Sequence, residues 1–175
     1  MKTYVALLRG INVGGNKKVD MAKLKQVCEK LGCERVSTYI NSGNVVFSSK
    51  GAPMATDLEK VLKKTFGFAI AVLVRDAASM AKVAKAIPKG WDNDSAVRTD
   101  VLFLWDEYNK KSSLGLISPH PEADKLKYVN GVIIWHVNRK FLSKSGMKKF
   151  IGTPLYKNMT ARNVNTVRKL AELMK

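Results

Sequence analysis

The amino-acid sequence predicts an α+β protein of two ferredoxin-like (βαββαβ-type) halves, with mixed or antiparallel sheets and packed helices. Short β-prone runs and helical patterns follow each other as strand, helix, strand, strand, helix, strand through the first 75 residues. The remaining residues loosely repeat this order, although no residue-level repeat is visible. We therefore expect a first half at residues 1–75 and a second α+β half, with basic C-terminal helices, at residues 76–175.

The first half opens with a buried strand, TYVALL at residues 3–8, followed by a glycine-rich loop. Asp20 is the expected N-cap of a helix that ends before Gly32, which stands where a left-handed residue is preferred. The β-rich runs at residues 35–40 and 44–49 are separated by Asn-Ser-Gly. This spacing predicts an antiparallel hairpin.

A second helix and a fourth strand complete the first half. Pro53 is expected to open the helix, or Thr56 and Glu59 form a capping box if the helix starts later. Gly67 is expected to end it. The continuous apolar run at residues 68–74 predicts the strand that follows.

The second half begins with a helix that Asp76 is expected to cap. Residues 97–105 predict a strand, and an irregular stretch follows. The pair Asn130-Gly131 predicts a hairpin between two further strands. A partly helical stretch interrupted at Gly146 then leads to a final helix.

The composition is that of a folded protein, and we expect neither a metal nor a cofactor. Hydrophobic residues make up 46% and charged residues 26%, which excludes a disordered chain. The opening MKTYVALLRG has too few apolar residues for a secretory signal, and no run is long enough to span a membrane, so we expect a cytoplasmic protein. Cys28 and Cys33 lack the further cysteines or histidines of a zinc site and are interpreted as reduced packing thiols.

Positive charge is the most unusual property of the chain, and it is unevenly spread. Lysine and arginine number 31 against 14 aspartates and glutamates, a formal charge of +17, and no acidic residue occurs between Asp124 and Glu172. This stretch predicts a surface that attracts polyanions, with a solvated lysine-rich face that serves solubility as the alternative. The basic-surface residues are Arg139, Lys140, Lys144, Lys148, Lys149, Lys157, Arg168 and Lys169.

The loop after the first strand, RGINVGGNKKV, is the first candidate site. Its glycines would let backbone N–H groups approach an anion, and its cations would add charge. The loop matches neither the dinucleotide fingerprint nor the P-loop, and a long loop whose glycines take positive φ is the simpler interpretation. The candidate anion-binding or ligand-binding residues here are Arg9, Asn12, Gly14, Gly15, Lys17 and Lys18.

Two further polar segments add candidates. In YINSGN, amide and hydroxyl side chains crowd a tight turn that they can cap themselves. TARNVNT is expected to open the last helix, with Thr160 as N-cap, and an anion at that N-terminus would account for its polar side chains. The candidates are Asn41, Ser42 and Asn44 in the first of these segments and Arg162, Asn163 and Asn165 in the second.

Three segments, LRGINVGGNKKVDMAKL, VSTYINSGNVVFSS and TARNVNTVRKLAEL, resemble in this order and spacing the bacterial family of domain of unknown function 1697. The resemblance extends over nearly the whole chain. Relatives often have an aromatic residue in the third segment, RNWNTV, where this chain has Val164. If that aromatic stacks on a ligand in relatives, the contact is missing here. The resemblance implies two ferredoxin-like halves and brings no established activity, substrate or catalytic residue.

The residues do not favour catalysis. Only His120 and His136 could act as bases near neutral pH, and we interpret them as a loop residue and a packed strand residue. We expect non-catalytic binding of a polyanion, nucleic acid favoured, through the basic C-terminal surface. The strands lack the aromatic pattern of an RNA-recognition sheet, so sequence-specific base reading is not expected.

Two alternatives stay open. The RGINVGG, YINSGN and TARNVNT segments could converge into the site of an enzyme or of a protein that binds a small phosphate-bearing ligand. A homodimer or partner-binding module could use an open sheet edge.

Overall fold

The computed structural model describes residues 1–51 and 55–175. The chain divides into two compact units, Met1–Met80 with Leu170–Lys175, and Ala81–Lys169. The sequence predicted a boundary between residues 75 and 76, and this boundary remains a prediction. In the described residues, no helix combines the length and the apolar character needed to cross a membrane.

The first unit contains a four-stranded antiparallel sheet with helices inserted between its strands. Its elements are β1 (Lys2–Leu8), α1 (Met21–Lys30), β2 (Glu34–Tyr39), β3 (Asn44–Ser49), α2 (Ala55–Phe66) and β4 (Val72–Asp76). The strand order is β2-β3-β1-β4, and every neighbouring pair is antiparallel. This is the ferredoxin-like arrangement, so the predicted fold of this half is confirmed.

Local signals place the ends of these elements. The carboxylate of Asp20 accepts a hydrogen bond from the amide of Lys23 at 2.7 Å and caps α1. Gly32 follows α1 with a φ of 82°, as expected of a C′ glycine. Leu24 of α1 and Leu62 of α2 are completely buried in the core against the sheet. The amphipathic faces of the two helices thus build the core of this unit.

Two predictions in this half were wrong and one cannot be compared. The fourth strand is Val72–Asp76 rather than residues 68–74, because the segment after Gly67 first connects α2 to the sheet. The capping box is not formed, since Thr56 lies inside α2 and Glu59 instead accepts a hydrogen bond from the amide of Val72 at 2.8 Å. Pro53 lies outside the described residues.

Both cysteines are free and buried in the core of the first unit, which confirms the packing interpretation. Cys28 lies on α1 and is 1% exposed, and Cys33 precedes β2. Burial, together with the neighbouring Cys33 and Glu29, raises the pKa of Cys28 to about 12. Burial also raises the pKa of Cys33. Neither thiol has the lowered pKa of a reactive cysteine.

The second unit repeats the topology of the first with shorter helical pieces. Its elements are β5 (Val97–Leu104), β6 (Asp124–Val129), β7 (Val132–Asn138), α4 (Met147–Phe150), α5 (Pro154–Lys157) and β8 (Met159–Asn163), preceded by α3 (Ala77–Ala86) and followed by α6 (Val164–Leu173). Turns of 3-10 helix cover Asp106–Tyr108, Lys111–Leu116 and Arg139–Phe141. The strand order is β6-β7-β5-β8, again antiparallel throughout. The loose duplication predicted from element order is confirmed.

The predicted cap at Asp76 and the predicted hairpin turn of this half are also found. The carboxylate of Asp76 accepts from the amide of Ser79 at 2.7 Å at the start of α3. Asn130 and Gly131 have φ of 49° and 78°, the pair of positive angles that a type I′ hairpin turn requires. On one face of the sheet, Trp135 packs in a cluster with Leu102, Phe150, Leu155 and Met159.

Candidate functional site

The loop between β1 and α1 has a solvent-exposed tip. Gly14 and Gly15 have φ of 59° and 77°, a conformation that glycine adopts without strain. Lys17 and Lys18 are exposed, and Arg9 at the start of the loop is half-buried. The interpretation of these glycines as positive-φ loop residues is confirmed, and anion binding by this loop stays a prediction.

Asn12 joins this loop to the β2–β3 turn. Its side-chain amide donates to the carbonyls of Asn41 at 2.9 Å and of Val19 at 3.1 Å. Its Oδ1 accepts from the amide of Val19 at 2.8 Å. The first two candidate segments therefore meet, and Asn12 uses both ends of its amide to hold them together.

The polar side chains of the β2–β3 turn bond within the turn, as predicted. Asn44 is buried, and its Nδ2 donates to the carbonyl of Tyr39 and to the hydroxyl of Ser42, both at 3.0 Å. The amide of Leu8 donates to the carbonyl of Gly43 at 2.8 Å. A Cβ at Gly43 would lie 2.8 Å from side-chain atoms of Leu8 and of the loop, and its φ is 78°. Only glycine fits here.

The third candidate segment begins as a strand, so the prediction that Thr160 caps the last helix was wrong. Thr160 pairs with Phe103 in the sheet, and α6 begins at Val164. Asn163 is the cap instead, since its Oδ1 accepts from the amide of Thr166 at 2.9 Å. The capping role moves by three residues because pairing with β5 keeps the segment extended up to Asn163.

Arg162 therefore lies on a strand and not on an exposed helical turn. It is 6% exposed, and its Nη1 donates to the hydroxyl of Thr160 at 2.9 Å and to the carbonyl of Ala161 at 2.7 Å. Burial lowers its pKa to about 10, so the guanidinium remains charged at neutral pH. Its role in binding an anion stays a prediction that burial does not favour.

The first turns of α6 fasten the segment WDND at residues 91–94. Asn165 donates to the carbonyl of Asn93 at 3.0 Å, and Arg168 forms an ion pair with Asp92 at 2.6 Å. Arg139 also donates to this segment, to the carbonyl of Asp94 at 2.6 Å. Asn165, Arg168 and Arg139 thus have partners within the second unit, which sequence reasoning missed because those partners lie 45 to 76 residues away.

His136 is a packed strand residue, as predicted. It is 9% exposed, its Nδ1 lies 2.9 Å from the hydroxyl of Thr99, and its ring stacks on Trp91 at 5.0 Å between centroids. Burial lowers the pKa of His136, Lys125 lowers it further, and Asp92 opposes the shift. The ring is therefore held neutral at physiological pH. The other histidine, His120, lies in a loop, also as predicted.

Five lysines of the predicted basic surface are exposed, and we call residues 139–157, which contain them, the basic segment. In residues 1–51 and 55–175, no carboxylate forms a salt bridge with any of the five. Lys140 and Lys144 lie 4.8 Å and 5.7 Å from the ring centroid of the half-buried Phe141. Lys169, in contrast, is half-buried. The exposed lysines are Lys140, Lys144, Lys148, Lys149 and Lys157.

A buried carboxylate anchors the basic segment to the sheet. Asp124 accepts hydrogen bonds from the hydroxyl of Ser145 at 2.5 Å and from the amide of Gly146 at 2.8 Å. The indole of Trp135 and the amide of His120 also donate to it, both at 2.8 Å. Burial alone would raise the pKa of Asp124, but these four hydrogen bonds outweigh burial and hold it below its ordinary value. The carboxylate is therefore ionised and fixes the middle of the segment.

The described residues contain no group of three or more histidine, cysteine, aspartate or glutamate side chains that could hold a metal ion. The first two candidate segments belong to the first unit, and the third belongs to the second. A site shared by all three remains a prediction.

Fold and site together define an α+β protein with two ferredoxin-like sheets and an exposed, lysine-rich segment in its second half. The chain belongs to the family described as protein of unknown function DUF1697, whose model matches residues 1–134. The TARNVNT segment lies beyond the matched residues. A conserved bacterial protein from Streptococcus pneumoniae is similar in structure, with 29% sequence identity, a TM-score of 0.80 and 99% of each chain covered. No curated protein matches the chain.

Proposed function

We propose that the protein binds a polyanion, with nucleic acid favoured, through the basic segment and without catalysing a reaction. The observation that carries the proposal is the set of five exposed lysines without a carboxylate partner among the described residues. A lysine that already neutralises a carboxylate gains little from a phosphate. These lysines are free to neutralise phosphates and would thereby release the counterions condensed on the nucleic acid.

The surroundings of Phe141 favour nucleic acid over other polyanions. Its ring is half-buried, and the ammonium groups of Lys140 and Lys144 lie 4.8 Å and 5.7 Å from its centroid. An aromatic face next to two cations suits an unpaired base flanked by phosphates. We therefore expect single-stranded nucleic acid to bind more tightly than duplex, with little dependence on sequence.

The arginines of the predicted surface have a different role in this proposal. Arg139 and Arg168 bond to the WDND segment, so reversing their charge would damage the protein as well as the surface. The test therefore uses lysines only. We expect the exposed Lys17 and Lys18 of the first loop to make a secondary contact. The same assay tests this contact when these two lysines are changed in a variant of their own.

The experiment is fluorescence-anisotropy titration of nuclease-treated protein with short single-stranded and duplex DNA and RNA at several salt concentrations. A variant with Lys140, Lys144, Lys148 and Lys149 all changed to Glu should lose most of its affinity and lower the salt slope by about two to three. The matched control reverses four exposed lysines of α2 and α3, Lys63, Lys64, Lys82 and Lys85, and carries the same net charge.

The two quadruple variants separate a binding surface from bulk charge. Loss in the first variant and near-normal binding in the control would support the proposal. Equal loss in both would mean that only net charge matters, and binding that vanishes at physiological salt in the unmodified protein would overturn the proposal.

A further inference from the structure

An open groove of about 420 Å³ lies on the face of the second sheet that carries Trp135. Strands β5 and β8 contribute Leu102 and Ala161, which pair directly, and Met159 lies nearby. Residues 142–151 of the basic segment form the opposite wall. The groove lies entirely within the second unit and has the size of a small-molecule site.

The apolar part of the groove suits a planar aromatic body. Trp135 and Phe150 are 5.4 Å apart between ring centroids with a tilt of 59°, and Tyr156 meets Phe150 edge to face at 5.7 Å. Met147 and Met159 also line the groove, and flexible thioethers adapt well to aromatic rings. Trp135, Phe150 and Met159 are buried and support the groove from the core, whereas the half-buried Met147 and Tyr156 present a thioether and an aromatic ring to a ligand. This pair favours an aromatic ring over an aliphatic chain.

The polar part of the groove carries an excess of positive charge. Arg98 donates from Nε to the carboxylate of Asp100 at 2.7 Å, and in the described part of the chain its terminal Nη groups donate to no side chain or carbonyl. Lys148 lines the same groove and has no carboxylate partner among the described residues. One carboxylate thus faces two cations. The site is complementary to a single negative charge.

We propose that this groove binds a small aromatic monoanion, a carboxylate or a sulfonate, with its ring system against Met147 and Tyr156 and its charge at Lys148 and Arg98. The site differs from the proposed nucleic-acid surface in needing an apolar wall and only one of the five exposed lysines. A result that refutes the groove therefore leaves the nucleic-acid proposal untouched, and the reverse also holds.

Neighbouring lysines provide a matched pair of variants. Lys148 lines the groove, whereas Lys149 is the next residue on α4, is exposed and does not line the groove. Lys148→Gln and Lys149→Gln change the net charge equally. The nucleic-acid proposal predicts similar effects of both on oligonucleotide affinity, while the groove proposal predicts an effect of Lys148→Gln alone on an aromatic anion.

A blocking variant tests the apolar wall. Ala161 is an exposed residue of β8 that lines the groove, so Ala161→Trp places a large ring in it without disturbing buried packing. Thermal melting and circular dichroism should show that this variant folds normally. If it does not, Ala161→Leu provides a smaller block.

The experiment measures 8-anilinonaphthalene-1-sulfonate fluorescence and its displacement by 1-naphthoate and by the neutral 1-naphthamide. We expect one saturable site, displacement by naphthoate at lower concentration than by naphthamide, and abolition of the site by Ala161→Trp. Lys148→Gln should weaken naphthoate about two- to fivefold, as expected of an exposed charge contact, and leave naphthamide unchanged. Lys149→Gln should change neither.

Three results would overturn the proposal. Equal displacement by naphthoate and naphthamide would show that the site does not recognise the negative charge. Dye binding that survives both substitutions at Ala161 would locate the apolar site elsewhere. A concentration-dependent dimer that Ala161→Trp dissociates would identify a second copy of the chain as the occupant.

Discussion

The carboxylate of Asp124 at the start of β6 accepts a hydrogen bond at 2.8 Å from the indole nitrogen of Trp135 on β7, a side chain without solvent exposure. The same carboxylate accepts from Ser145 and Gly146 in the basic segment. One buried charge therefore connects the core of the second sheet to the surface that we propose binds nucleic acid.

Asp124→Asn should destabilise the protein by about 3 kcal/mol, because an amide presents N–H groups to donors that need an acceptor. Urea denaturation measures the free energy of unfolding. Asp57→Asn is the control, since among the described residues Asp57 forms only an exposed pair with Lys60 at 3.9 Å and should contribute within about 0.5 kcal/mol. Equal effects of the two substitutions would contradict the role assigned to Asp124.

Lowering the pH should remove the contribution of Asp124 to the free energy of unfolding. Its folded pKa is lowered from the ordinary 3.8, so its stabilisation is present above that value and is lost as pH falls from there through the folded pKa. The unfolding free energy of the Asp124→Asn variant should fall less steeply over this acid range. Parallel curves for the two proteins would argue against an ionised carboxylate.

Gly146 should tolerate no side chain. A Cβ there would collide with the backbone carbonyl of Ser118, while the glycine amide donates to Asp124. We expect Gly146→Ala to cost about 2 kcal/mol or more, since backbone must move to admit the methyl group. Gly115→Ala is the control because nothing lies within 4 Å of its added Cβ. Denaturation curves that shift equally would show that the collision is relieved cheaply.

The stability of the protein should decrease as pH falls from about 7 to about 5, in part through His136. Its folded pKa is lowered, so the unfolded chain binds the proton first and is favoured as pH drops through the unfolded value and then the folded one. The His136→Gln variant should lose part of this dependence. NMR titration of the His136 ring signal gives the direction of the shift independently.

Asn12→Ala should loosen the first loop from the β2–β3 turn. The substitution removes three hydrogen bonds and places alanine at a φ of 54°, so we expect a cost of about 2 kcal/mol. The amide of Val19, which donates to Asn12, should exchange faster with deuterium. Asn16→Ala, an exposed change in the same loop, should leave that amide protected.

The parts of the fold that sequence predicted are those encoded by neighbouring residues. Asp20 and Asp76 cap their own helices, and Asn130-Gly131 takes the positive angles of its own turn. Strand β8 was missed because TARN reads as polar and its extended form depends on pairing with β5. Local patterns carry no information about a partner about 60 residues away in the chain.

In the candidate sites, too, contacts between neighbouring residues were predicted and contacts between distant segments were not. The bonding of Asn44 within its turn followed from sequence spacing. The partners of Arg168 and the four donors around Asp124 did not, since they join segments that only the folded sheet brings together. The groove beside Lys148 was missed for the same reason, because its walls come from strands and from residues 142–151.

The placement of both cysteines in the first unit gives the protein a native reporter of its own opening. Cys28 has almost no exposed surface and a pKa of about 12, so a disulfide reagent such as dithionitrobenzoate reacts only when the core of that unit opens. The second unit contains no cysteine. The rate of thiol labelling under native conditions would therefore measure the opening of the first unit alone, because the second unit contributes no thiol.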